Sequence, residues 1–214
     1  MRVIDLTHTI CEDMPVYPGT EKPKLLPANS YEKDGFKETR ISMFSHTGTH
    51  VDPPAHLYGD GKTLDSFPAE QFVGKALVID VRSVKTGEEI TMEHIKRYGD
   101  KAKEADFLLF CLGWDALWGT DEYFGDYPVI NEEALDFIIQ NGYKGIGFDV
   151  IGLDPIRDEN LTRHKKLFER CDMINIENLK NLHLVGDELF LFCALPIKVK
   201  DSDGAPIRAV AILG

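Results

Sequence analysis

The 214-residue sequence lacks any apolar run approaching the roughly 20 residues that a membrane-spanning helix requires. Its opening stretch, Met1-Arg-Val-Ile-Asp-Leu-Thr-His8, carries a charge at Asp5 and no signal-like apolar core, so a cytoplasmic protein with no membrane partner is expected. Cations are also in short supply. Lys and Arg total 24 against 36 Asp and Glu, and a formal net charge of -12 argues against general attraction to nucleic acid or anionic lipid. A small molecule is the expected partner. Cysteine pairing signals are missing too: Cys11, Cys111, Cys171 and Cys193 are scattered with no C-x-x-C spacing, which leaves reduced core thiols with no assigned chemistry. There is no internal repeat, low-complexity tract or linker, and the chain is expected to form one domain over residues 1–214.

What is present alternates between short apolar runs and capped helices. Val3-Ile-Asp-Leu6 reads as a strand, and Met14-Pro-Val-Tyr-Pro-Gly19 as a loop. Phe36 to Phe44 is strand-like and leads into a histidine-rich segment. Ala76-Leu-Val-Ile-Asp-Val81 and Phe107-Leu-Leu-Phe-Cys-Leu112 are continuous apolar runs, as expected of strands buried on both faces. Gly145 to Asp149, Leu182 to Val185, Leu189 to Ala194 and Ala209 to Leu213 add further strands. Thr91 to Gly99 reads as a short capped helix. Asn131 caps a second over Glu132 to Gln140, with Asn141-Gly142 as its stop. The pattern predicts an α/β fold, a mixed sheet flanked by helices.

The segment His46-Thr-Gly-Thr-His50-Val-Asp52-Pro-Pro-Ala-His56 gathers three imidazoles and a carboxylate within eleven residues, a ligand set that zinc, manganese or ferrous iron accepts. Gly48, the β-branched Thr47, Thr49 and Val51, and Pro53-Pro54 all oppose a helix. In an extended chain residues 46, 50, 52 and 56 share one face. A straight strand would nevertheless hold the Cα atoms of His46 and His50 roughly 13 Å apart, too far for two ligands each about 2 Å from one ion. Gly48 is therefore assigned a bend. Pro53-Pro54 stiffens the exit and keeps His56 offset from the ion, as a candidate acid/base.

The pattern H-x-G-T-H-x-D-x-P-x-H resembles the signature of the cyclase family of metal-dependent hydrolases, the family of the bacterial kynurenine formamidases (arylformamidases) and isatin hydrolases. Asp5-Leu-Thr-His8, Met14 to Gly19, Gly113-Trp-Asp-Ala-Leu-Trp-Gly119, Gly147-Phe-Asp149, Ala194 to Lys200 and Gly204 to Arg208 resemble further landmarks of that family, in order, over nearly the whole chain. The resemblance implies a compact domain around a barrel-like mixed sheet, a dimer or tetramer, and hydrolysis of an amide, formamide or lactam C–N bond. It also implies one or two divalent metals, zinc first and manganese as the alternative. It makes His46, His50 and Asp52 ligands, with Asp52 facing a second ion held by His164 and Glu177. Tyr17 matches a substrate-lining position where the formamidases carry Trp.

From the residues alone, His164 in Arg163-His-Lys-Lys reads as a solvated turn, whereas Glu177 among Ile174, Ile176 and Leu179 is a carboxylate that needs a partner. His94 and His183 read as structural or surface residues, and His8 has no assigned role. Trp114, Trp118, Tyr123 and Phe124 could wall a pocket but read first as core. Two further functions stay open at this level. Two His and a carboxylate also serve iron oxidoreductases, and a binding homologue could keep the loop without turnover.

Overall fold

Apolar runs long enough to be buried on both faces become the middle of a nine-stranded sheet in the structure, a computed structural model that describes residues 1–169 and 172–214. In chain order the strands are β1 (Arg2–Asp5), β2 (Lys24–Asn29), β3 (Glu38–Ser42), β4 (His50–Asp52), β5 (Val73–Asp80), β6 (Glu89–Ile90), β7 (Phe107–Cys111), β8 (Val129–Ile130), β9 (Gly145–Phe148), β10 (Ile174–Glu177), β11 (Phe190–Cys193), β12 (Ala205–Pro206) and β13 (Val210–Leu213). The helices are α1 (Tyr31–Asp34), α2 (Met92–Lys96), α3 (Asp100–Glu104), α4 (Glu132–Asn141) and α5 (Thr162–Glu169). The main sheet runs β1-β13-β11-β5-β7-β9-β10-β4-β12. Strands β5, β7, β9 and β10 are parallel to their neighbours in this group, and the outer strands pair antiparallel. The segment carrying β12 and β13 pairs first with β4 and then with β1. The Thr7–Leu179 bridge likewise ties the β1 side to the β10 side, so the sheet curls into a half-barrel.

Alternation along β5 and β7 sends Leu77, Ile79, Leu108 and Phe110 to the helix side and Ala76, Val78, Leu109 and Cys111 to the other face. The first core is closed by α4 and α5 through Ala134, Leu135, Ile138, Leu167 and Phe168. Helix α4 forms as expected: the Asn131 side chain accepts from Ala134 N at 3.0 Å, and Gly142 ends the helix at φ +70°. Truncating its fully buried Ile138 to Ala would cost about 2–5 kcal/mol. Helix α2 is shorter than expected, and His94 completes the cap of Thr91 as part of a capping box.

Leu182 to Val185 is not a strand. Asn181 takes φ +60° and Leu182–Leu184 forms a single 3-10 turn that drops Leu182 into the second core, leaving no extended edge to pair. Cys111 is a core thiol, but Cys11 and Cys193 are only half-buried, Cys193 because it shares the outer face of β11 with exposed Leu191 while Phe192 and Ala194 are buried; Cys171 lies outside the described residues. Strands β2 and β3 form a separate ribbon in which no residue is buried. No helix among the described residues is long and apolar enough to cross a membrane.

Candidate active site

The antiparallel register of β4 against β10 assembles the site. Glu177 stands opposite His50, Asn175 opposite Asp52, and Ile176 opposite Val51. With a two-residue side-chain period, His50, Asp52, Asn175 and Glu177 project on one face while Val51 and Ile176 enter the second core on the other. The shared parity expected across residues 46 to 56 thus holds only for His50 and Asp52, since only residues 50–52 are strand. His46 arrives over a bend at Gly48, whose φ of +66° favours glycine, and where a β-carbon would lie 3.2 Å from Met14 Cε. His56 sits at the end of the 3-10 turn Pro54–His56, in which Pro54 takes the first position.

His164 comes from an element that local reading takes for a solvated turn. It is buried on α5, where His164, Leu167 and Phe168 share one face at spacings of three and four. That periodicity is the available signal, muted by the flanking Arg163, Lys165 and Lys166. Asp154, unremarked in the sequence, anchors this helix start: it accepts from Arg163 N at 2.7 Å, His164 N at 3.0 Å and His164 Nδ1 at 2.7 Å.

Three overlapping groups, His46–His50–Asp52, Asp52–His164–Glu177 and the more exposed His46–His56–Asp203, each bring one candidate ligand atom per residue within 4.8 Å of one another, with Asp52 common to the first two. His50 Nε2 is 3.2 Å from Asp52 Oδ1 and 3.5 Å from Glu177 Oε2. His164 Nε2 is 3.1 Å from Glu177 Oε1 and 3.7 Å from Asp52 Oδ2. Each of these rings already uses Nδ1, on the Gly48 carbonyl at 2.8 Å and on Asp154. A neutral imidazole protonated at Nδ1 would face the carboxylates with a lone pair, acceptor against acceptor, so the cluster calls for positive charge at its centre. The titration behaviour has the same cause. Burial drives the His50 pKa down, but the charges of Asp52 and Glu177 outweigh it and lift the value to about 9. His164 is likewise raised well above the usual imidazole range: burial opposes this, and the carboxylates of Asp154, Asp52 and Glu177 prevail. Asp52 is held well below the usual carboxylate range despite burial, through His50, His46 and His164. A divalent cation would meet the same demand, and this nitrogen and oxygen set suits zinc or manganese.

The cluster opens into a cleft of about 490 Å³ walled by Val16, Tyr17, Phe44, Ile151 and Leu161. Tyr17 is thus on the cleft, with its phenol pKa raised mainly by burial. His56 also lines it, its ring centroid 4.0 Å from His46 and 6.1 Å from His164, and burial is the chief cause of its lowered pKa. The aromatic group elsewhere is packing: Tyr123 is fully buried with its hydroxyl on Asn178 at 2.6 Å, and Trp114 Nε1 donates to the Tyr123 carbonyl at 3.0 Å. His8 stacks on Trp118 at 3.9 Å, and burial lowers its pKa to about 4. His183 is exposed on its turn. Asn175, missed in the sequence, donates to Glu177 Oε1 at 2.8 Å and to Asp52 Oδ2 at 3.1 Å; its place two residues before Glu177 in a strand was the signal for it.

Known proteins share this arrangement of chain and sequence. The chain is 30% identical over 208 residues to a kynurenine formamidase of Bacillus mycoides, covering 97% of this chain and 95% of that protein. Isatin hydrolase A from Labrenzia aggregata, solved with benzyl benzoate bound, superposes with a TM-score of 0.88 at 27% identity, over 98% of this chain and 93% of the other. A potential metal-dependent hydrolase with cyclase activity superposes at 0.75 and 29% identity, over 98% and 96%. The family described as "Putative cyclase" matches residues 4–155, the span from β1 through the histidine loop to the carboxylate that anchors His164, and the chain belongs to that family.

Proposed function

We propose that the chain, acting as one hydrolase domain over residues 1–214, cleaves the C–N bond of a small aromatic amide, formamide or lactam with the help of a divalent metal. The observation that carries this reading is the meeting of the β4–β10 register with α5, which leaves two imidazole nitrogens facing buried carboxylates at the base of an apolar-walled cleft. His46, His50 and Asp52 would hold one ion, and Asp52, His164 and Glu177 a second, with zinc the first expectation and manganese the alternative. When bound, such an ion supplies a Lewis acid that acidifies water and polarises a carbonyl. His56 does the proton work: its lowered pKa leaves it neutral near pH 7, able to take the proton of the attacking water and return it to the leaving nitrogen. Tyr17, Phe44 and Ile151 offer the wall against which an aromatic ring packs, and Tyr17 adds a hydroxyl donor.

Kynurenine formamidase and isatin hydrolase, the names carried by the relatives, are both consistent with such a substrate. A homo-oligomer is part of the proposal, supported by the β2–β3 ribbon, since an isolated two-stranded ribbon with no buried residue is marginal in water. A cytoplasmic setting is supported by the free thiols Cys11, Cys111 and Cys193. The test is to strip the purified protein with a chelator and assay formanilides, isatins and lactones without oxygen. Hydrolysis should vanish and return with zinc or manganese. Activity that requires ferrous iron and dioxygen would overturn the hydrolytic reading, and full metal occupancy without turnover would leave a binding protein.

A further inference from the structure

We propose that Asp203 is a positioning residue that turns His46 the opposite way from the other two imidazoles of the cluster. His46 then offers Nδ1 to the donor set, whereas His50 and His164 offer Nε2. The inference rests on the metal-dependent reading above and adds which atom of His46 does the work, and why. For His50 and His164 an acceptor outside the cluster holds Nδ1: the Gly48 carbonyl at 2.8 Å and Asp154 at 2.7 Å. His46 is reversed. Its Nδ1 lies 2.7 Å from Asp52 Oδ1, and its Nε2 lies 3.4 Å from Asp203 Oδ2, on the solvent side. A neutral imidazole carries one N–H, and an outer carboxylate keeps that proton on the nitrogen it faces, leaving the inner lone pair for a cation.

An independent contact holds the same ring pose. A β-carbon on Gly204 would lie 2.5 Å from His46 Cε1 and 2.6 Å from Nε2, so the outer edge of the ring packs on bare backbone where any side chain would push it away. The loop that provides both residues is tied down on its own account. Asp201 adopts φ +55°, the Ser202 hydroxyl donates to the Gly204 carbonyl at 2.6 Å, and Leu64 N donates to the Ser202 carbonyl at 3.0 Å. Asp203 and Gly204 therefore form a clamp supplied from the C-terminal segment, about 150 residues from the ring it orients.

The experiment uses the full chain, labelled with ¹⁵N-histidine and loaded with zinc, and reads long-range ¹H–¹⁵N correlations together with zinc affinity by chelator competition. His46 should show a protonated Nε2 and a metal-shifted Nδ1, with the reverse pattern at His50 and His164. Asp203→Ala should weaken zinc binding about 10–100-fold with unchanged stoichiometry. Asp203→Asn, whose amide oxygen can still accept from Nε2, should recover most of that loss. Gly204→Ala should weaken binding although Asp203 is present, because the ring must move. A protonated Nδ1 on His46, or unchanged affinity in Asp203→Ala, would overturn the inference; so would loss of a whole equivalent of zinc, which would make Asp203 a ligand. Parent protein that takes up no divalent metal would instead sink the hydrolase reading and this inference together.

Discussion

Two buried carboxylates behave in opposite ways in this molecule, one at the start of the cleft and one at the end of β9. Asp52 is 1% exposed and Asp149 is fully buried, so burial raises the pKa of both. Around Asp52 stand His50, His46 and His164, and their charge and hydrogen bonds pull it well below the usual range. Around Asp149 stand chiefly two backbone amides, Leu112 N at 2.9 Å and Gly113 N at 2.8 Å, and its pKa climbs to about 7. Oriented amide dipoles offset part of the desolvation, whereas facing ionisable rings reverse it. The difference separates a clasp from a site. Asp149 ties the exit of β7 to the exit of β9, and Asp52 sits at the centre of a field that asks for a cation.

Substitutions around the two carboxylates test how far they differ. Asp52→Asn removes the carboxylate shared by the His46–His50–Asp52 and Asp52–His164–Glu177 groups; hydrolysis should fall by more than about 10³-fold and elemental analysis should find little retained metal. If metal content and turnover survive, the cluster is no more functional than the clasp. His56→Ala should lower kcat about 10²–10⁴-fold while metal content stays at the parent level. Metal loss there would make His56 a ligand. Asp154→Ala frees the His164 ring and should weaken metal binding about 10–100-fold, measurable by chelator competition. Tyr17→Ala should raise KM for aromatic substrates about 2–10-fold with kcat nearly unchanged, as expected for loss of one aromatic contact.

The effect of Asp149 falls on stability and not on catalysis, and appears as a slope. Its folded pKa near 7 exceeds the unfolded value of 3.8, so between these limits the folded state binds more protons and stability falls as pH rises. Asp149→Asn should flatten that decline in denaturant titrations from pH 4 to 7 while leaving metal content untouched. A parent whose stability does not fall over this range by any Asp149-dependent amount would erase the contrast with Asp52.

Much of the candidate site was legible because the histidine loop keeps its donor atoms local. His46, His50 and Asp52 lie within seven residues, and distance arithmetic alone requires the bend that Gly48 makes at φ +66°. The buried strands β5 and β7 and the capped helix α4 were legible for a similar reason, since periodicity and caps are properties of neighbours in sequence. Leu182 to Val185 misled because a short apolar run carries no period long enough to separate a strand from a turn that buries one leucine. His164 was hidden by the charged residues beside it: Lys165 faces solvent, while Arg163 turns toward the Ile130 carbonyl and Asp154 from the same helix that carries the ring inward. Asp154 and Asp203 carried no local mark of their partners, and Asn175 was marked only by its place two residues before Glu177.

Residue types and their local spacing set which chemistry is available: a nitrogen and oxygen donor set on a bent, proline-stiffened loop, an acidic chain poorly suited to polyanions, and apolar runs that must be buried on both faces. The pairings came from the packed fold. The antiparallel register of β4 on β10 sets Glu177 beside His50, α5 delivers His164 from the far side, and the β12 segment brings Asp203 against His46. The physical reason is that ligand types are properties of single residues, whereas a shared ion site depends on distances between strands. Those distances follow from how two hydrophobic faces pack on one curled sheet.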